Sequence, residues 1–178
     1  MADYRRVFVR GGLYFFTLVM QDRSKSYLTD YIDIFRAAYK ETIARHPFET
    51  VAICILPDHV HLLIRLPEED DDYPTRIAYL KTQFSRNLPI QIRNPNQSKF
   101  KRREAGIWQR RYWEHLIRDN ADLARHMDYI YYNPVKHGYV SMVQEWPFSS
   151  FHRDVKAGLY PLNWGSSISE AAWDLYDN

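Results

Sequence analysis

Apolar positions along this chain follow two different periods, and the switches between them outline the elements. After the pair Gly11-Gly12, the run 13–20 is of strand length and rich in aromatic and β-branched residues, which predicts a buried first strand. Between 29 and 46, Ile32, Phe35, Ala38, Tyr39 and Ile43 recur at helical spacing and Pro47 closes the pattern, so a first helix is expected there. The runs 51–56 and 59–66 flank Pro57-Asp58 and read as a hairpin around a tight turn. Pro74 then opens a second helix over 75–88, with Ile77, Leu80 and Phe84 on one side. The stretch 89–98, rich in Pro, Asn and Gln, reads as loop, and 107–117 as a further strand. Asp119 or Asn120 can cap a helix running to 132. Beyond Asn133-Pro134 the pattern breaks up into a tail carrying Trp146, Trp164 and Trp173, and no internal repeat is visible.

Strand, helix, two strands, helix, strand, helix is the order of a split βαβ. The expectation is therefore an α+β, ferredoxin-like antiparallel sheet with helices packed on one face, in a single domain over 1–178 with 141–178 as its C-terminal tail. Such a sheet hosts many unrelated activities and carries no function by itself. At 178 residues, 46% hydrophobic and 26% charged, the chain has the composition of a folded soluble protein and not of a disordered one. Its longest apolar stretches, 13–20 and 60–64, are too short to cross a bilayer, and no signal segment opens the chain, so a cytoplasmic location without membrane contact is expected. The single cysteine, Cys54, lies in an apolar run and reads as a buried, inert thiol. A net charge of +2 says little about partners, but its distribution is uneven. Glu68, Glu69, Asp70, Asp71 and Asp72 form an acidic loop, read as a solvated turn. Lys99, Lys101, Arg102, Arg103, Arg110 and Arg111 crowd a stretch with only Glu104 against them.

The candidate chemistry comes from pairs of positions. In a strand, His59 and His61 project to one side while Asp58, Val60 and Leu62 project to the other, so two imidazoles converge on one point. In the helix that follows Asp119, the residues Leu123, Met127, Ile130 and Tyr131 fall on one apolar stripe. Tyr129 and Asn133, four residues apart, share its flank with Asp122 and His126, which become candidate proton acceptors. Each pair alone also fits a bland reading, hydrogen-bonded strand histidines and a packed tyrosine. The basic stretch could neutralise phosphates, with Trp108, Tyr112 and Trp113 stacking on unpaired bases, or it could be a solvated loop before a packed strand.

Pro57-Asp58-His59-Val60-His61-Leu62 resembles the His-hydrophobic-His signature of HUH endonucleases. The runs from Trp108 to His115 and from Asp128 to Gly138, together with Trp146-Pro147-Phe148-Ser149-Ser150-Phe151, resemble the REP-associated tyrosine transposases, single-tyrosine relatives of insertion-sequence transposases. The resemblance covers nearly the whole chain. It implies a metal-dependent endonuclease and strand transferase with Tyr129 as catalytic nucleophile, acting through a 5′-phosphotyrosine intermediate. His59, His61 and Asn133 become metal ligands, where insertion-sequence relatives tend to have Gln in the last position. It also implies a Mg2+ or Mn2+ cofactor, no nucleotide cofactor, and single-stranded DNA hairpins of repetitive extragenic palindromes as partners, with Arg5 and Arg6 reading a flanking guide sequence. Nitrogen ligands favour manganese, cellular abundance magnesium. Monomer and dimer stay open. Two other readings compete: a non-catalytic DNA-hairpin-binding regulator, and a two-histidine metal hydrolase of small molecules, which needs neither the basic stretch nor Tyr129.

Overall fold

The computed structural model describes residues 6–93 and 106–166. The elements run β1 (Leu13–Val19), α1 (Tyr27–Asp30), α2 (Ile32–Arg45), β2 (Glu49–Ile55), β3 (His59–Arg65), α3 (Tyr73–Asn87), β4 (Trp113–Leu116) and α4 (Asn120–Lys136). A 3-10 turn (Val143–Glu145) and α5 (Phe151–Lys156) follow. The four strands form one antiparallel sheet in the order β2-β3-β1-β4, the arrangement expected of a ferredoxin-like fold. The central pair, β1 and β3, is in register with Thr17 opposite His61 and Val19 opposite His59.

Strand alternation sends Tyr14, Phe16 and Leu18 of β1 and Val60, Leu62 and Ile64 of β3 to one face. There they bury against Phe35 and Ala38 of α2 and Ile77, Leu80 and Phe84 of α3. Leu13, Phe15, Ala52, Cys54 and Leu63 point the other way, onto Ile130, Tyr131 and Tyr132 of α4 with Trp146 and Phe151 of the C-terminal segment. Each of the larger aliphatic and Phe side chains among them contributes roughly 1.5–3 kcal/mol by leaving water. The helices thus share one face only as far as α2 and α3 go. The second face is covered as well, because β1 and β3 carry apolar residues at odd and even positions alike.

Local details depart from the expected boundaries for identifiable reasons. The first helix breaks at Tyr31, whose φ of −115° and ψ of 38° are not helical, so α1 and α2 are separate. The expected strand over 107–117 survives as β4 and a bridge between Met20 and Trp108. Between them the Gln109 N–H still donates to the Val19 carbonyl at 2.9 Å while its own carbonyl accepts from Lys81 Nζ at 2.8 Å, so the pairing with β1 is interrupted without being lost. In the acidic loop Asp70 pairs with Arg76 at 2.7 Å and Asp72 caps α3. The segment around Phe148 and Ser150 hydrogen-bonds to Ile55 and Ile53, so β2 is not left as an open edge. Most consequential is α4, capped by the Asp119 side chain at the backbone N–H of Asp122. It passes through Pro134 and ends at Lys136, four residues beyond expectation. A proline this close to a C-terminus removes one hydrogen bond without stopping the last turn.

Candidate active site

His59 and His61 lie side by side on β3 facing α4, with ring centroids 4.8 Å apart and both nearly covered. Each ring is fixed through Nδ1. His59 Nδ1 donates to the Asp58 carboxylate at 2.7 Å. His61 Nδ1 lies 3.1 Å from Thr17 Oγ1, its register partner, and in the tautomer that donates to the hydroxyl the lone pair sits on Nε2. Strict alternation would place Asp58 on the opposite face. It belongs to the turn before the strand, where alternation does not hold, and its carboxylate swings back to the histidine. Arg23 donates to its other oxygen at 2.7 Å. Burial pushes the Asp58 carboxyl upward, but the hydrogen bonds from His59 and Arg23 outweigh it and hold it well below the usual carboxylate range.

From α4, Asn133 is 1% exposed with its amide beside the His61 ring, yet among the described residues neither its oxygen and nitrogen nor the buried Nε2 of His61 meets a partner in full hydrogen-bond geometry. Burial first, and then the charges that His59, His137 and Lys136 can carry, keep the His61 pKa well below the ordinary imidazole value; the Asn133 amide beside the ring opposes them. A neutral imidazole, an unsatisfied amide and a second oriented imidazole form a donor set suited to a divalent cation, since buried polar atoms left without partners are costly unless something completes them.

Tyr129 is half-buried one turn earlier on α4, its ring 5.0 Å from that of His61 and edge-on to Phe15 at 6.0 Å. Lys136 Nζ lies 5.6 Å above the same ring. The other tyrosines of this helix are packed away: Tyr131 donates to Asp154 at 2.5 Å inside the core, and Tyr132 is 5% exposed. Of the three, Tyr129 is the one against the histidines. Lys136 and His137, whose ring is 5.2 Å from that of His59, were missed because the helix was expected to stop at 132. The missed signal is their place four residues beyond Tyr132 and Asn133, which keeps His137 on the Asn133 flank.

Phe15 packs against both His126, at 4.9 Å, and Tyr129, at 6.0 Å, while Asp122 and His126 are themselves engaged elsewhere. They belong to a second group with His115, whose potential ligand atoms all lie within 4.8 Å of one another. The Asp122 carboxylate accepts from His115 Nε2 at 2.8 Å and from the Arg118 backbone at 3.0 Å, and lies 3.3 Å from the Arg125 guanidinium. Bracketed by cations already, it acts as an ionic hub joining β4 to α4.

Of the residues expected to meet DNA, Arg5, Lys99, Lys101, Arg102 and Arg103 lie outside the described residues. Arg6 is engaged by the buried Glu114 carboxylate at 3.1 Å and sits 4.8 Å over Tyr112. Trp108 packs on Phe84 at 5.6 Å and donates to the Lys81 carbonyl, which commits its ring to the core. Tyr112 packs edge-on against Phe16 at 5.9 Å. Trp113 is 58% exposed, and Arg110 and Arg111 are exposed beside it.

Residues 9–133 match the family model of IS200-like transposases. A Haemophilus influenzae protein named for the REP-associated tyrosine transposases is 69% identical over 94% of this chain and 95% of its own length. The REP-associated tyrosine transposase of Escherichia coli is 41% identical, over 96% of this chain and 94% of its own. A solved structure of a REP-associated tyrosine transposase bound to a REP hairpin superposes with a TM-score of 0.80 at 41% identity, covering 95% of this chain and 94% of that one. Among the described residues no helix is long and apolar enough to cross a membrane.

Proposed function

The chain belongs to the IS200-like transposase family and is a transposase-type nuclease, and on that premise we propose that it cuts and rejoins single-stranded DNA at hairpins of repetitive extragenic palindromes through a 5′-phosphotyrosine on Tyr129. The observation that carries this reading is one cluster: Tyr129 against His61, with the unsatisfied polar atoms of His61 and Asn133 beside it. The solved relative with a REP hairpin supports the choice of substrate. A cytoplasmic location, beside chromosomal DNA, goes with it.

Tyr129 Oη attacks the scissile phosphorus and a P–O bond forms as the bond to the 3′ oxygen breaks. The phenolic proton passes to solvent and the departing oxygen takes one up, leaving a 3′ hydroxyl. Because the phosphodiester is exchanged and not hydrolysed, another 3′ hydroxyl can reverse the step and join strands without a nucleotide cofactor. A free phenol titrates near pH 10, so the Lys136 cation above the ring serves to favour the phenolate and to hold a phosphate oxygen. His59, His61 and Asn133 would hold Mg2+ or Mn2+, which when bound supplies charge to the phosphate oxygens in the transition state. Asp58 and Thr17 keep the two rings aimed for that task.

The test is incubation with labelled hairpin oligonucleotides and manganese, followed by a denaturing gel and mass spectrometry of the trapped adduct. DNA should be attached at Tyr129; Tyr129→Phe should bind hairpin yet form no adduct; His59→Ala, His61→Ala and chelator should each abolish cleavage with binding retained. An adduct at Tyr132, or full cleavage by the double histidine variant in chelator, overturns the assignment.

A further inference from the structure

Beside the histidines lies a cavity of about 390 Å³ lined by Thr17, Val19, Gln109, Arg111, Tyr112 and Trp113. Its position follows from register. Thr17 and Val19 are the β1 partners of His61 and His59, and Trp113 is the β4 partner of Thr17, so the cavity shares the histidines' face one strand spacing away, roughly 5 Å. Its far wall is held from both sides, the Gln109 N–H donating to Val19 and its carbonyl accepting from Lys81.

The segment 108–113 divides its side chains between two cavities. Trp108 and Arg110 line one against α3, together with Lys81 and Arg86. Arg111 and Trp113 line the one beside the histidines, and Gln109 and Tyr112 border both. The histidine side therefore offers a large aromatic face that is 58% exposed, a guanidinium, and an amide that both donates and accepts. The volume is that of a small-ligand site.

Resting on the DNA-cleaving reading above, the geometry points to this cavity as the pocket for the unpaired nucleobase adjoining the scissile phosphate. Trp113 stacks on the base, Gln109 and Arg111 read its edge, and the α3 cavity, with its three cations, follows the phosphate backbone. Anchoring that base draws the neighbouring phosphate toward Tyr129, so Trp113 is a substrate-positioning residue, Gln109 and Arg111 set the base preference, and Trp108 is a structural residue. The occupant is a base of a single strand, because a paired base cannot present its face to Trp113.

A scan with 2-aminopurine along the unpaired flank of a hairpin oligonucleotide tests this, using Tyr129→Phe protein so that DNA stays intact. One position beside the cut should be quenched on binding, and Trp113→Ala in the same background should restore its fluorescence. In protein with Tyr129, an abasic site there should slow cleavage by roughly five- to a hundred-fold, the range for one stacked base, and should slow Trp113→Ala by clearly less, since only the edge contacts of Gln109 and Arg111 remain to be lost. Quenching that survives Trp113→Ala at every position, or an abasic penalty of equal size in both proteins, overturns the proposal. A quenched position without any adduct from the Tyr129 protein would strike the strand-transfer reading and leave the pocket standing.

Discussion

At the residue scale, three tyrosines within four positions of α4 have three fates, decided by what each phenol meets. Tyr129 meets His61 and Lys136, Tyr132 is buried in the core, and Tyr131 hydrogen-bonds Asp154 and Ser150. Burial pushes the Tyr131 phenol far above its ordinary pKa and the adjacent Asp154 carboxylate adds to this, so it is a poor source of phenolate. Tyr131→Phe should therefore lose about 2 kcal/mol of stability, because a buried carboxylate loses a donor, yet form the covalent adduct normally. Thermal melts alongside adduct yield check this; an unchanged melting temperature or a lost adduct would contradict it. Tyr131 was legible as core from its place in the apolar stripe. Asp58 was not legible as the partner of His59, since only the turn geometry brings its carboxylate round.

At the element scale, the junction between β4 and α4 rests on Asp122, 2% exposed and accepting from His115 and the Arg118 backbone, with Arg125 and His126 also facing it and Asp119 capping its N–H. Burial raises the Asp122 carboxyl, but the hydrogen bonds from His115 and Arg118 win and set it well below the usual range. A carboxyl whose folded pKa is depressed stabilises the fold at any pH above its unfolded value, near 3.9, and that contribution fades as pH falls toward the folded value. Asp122→Asn should thus cost about 2 kcal/mol at pH 7 and progressively less below pH ~4. Urea titrations of both proteins across that range measure it, and a gap that widened on acidification would rule the hub out. Because the hub orients α4, the same variant should also weaken cleavage without abolishing it. The periodicity of 120–132 made this helix visible in the sequence. Its last turn was hidden, since a local rule about proline stood against the packing of Pro134 and Asn133 in the core.

At the scale of the whole molecule, the α3 cavity, with the exposed Arg110 beside Lys81 and Arg86, adjoins the cavity on the histidines' face at Gln109 and Tyr112, and the proposed function would route a strand leaving a hairpin along it. Affinity should fall steeply with salt, hairpins with single-stranded flanks should be preferred over perfect duplex, and Arg110→Ala should reduce the salt slope by roughly 0.7–0.9. Binding isotherms across a salt series decide it, and equal cleavage of duplex and hairpin would sink the single-strand reading. The sequence by itself determined the sheet, the order of its main elements and the pairing of His59 with His61, and it put Tyr129 and Asn133 on one helix flank, because each rests on periods of two or 3.6 residues that chain geometry imposes locally. Tertiary structure alone decided which face each helix covers, that Asp122 and His126 gather with His115, that Lys136 and His137 join the site, and that Trp113 rather than Trp108 is left exposed. Those outcomes depend on contacts between residues far apart in sequence, in a sheet apolar on both faces, where alternation cannot tell one side from the other.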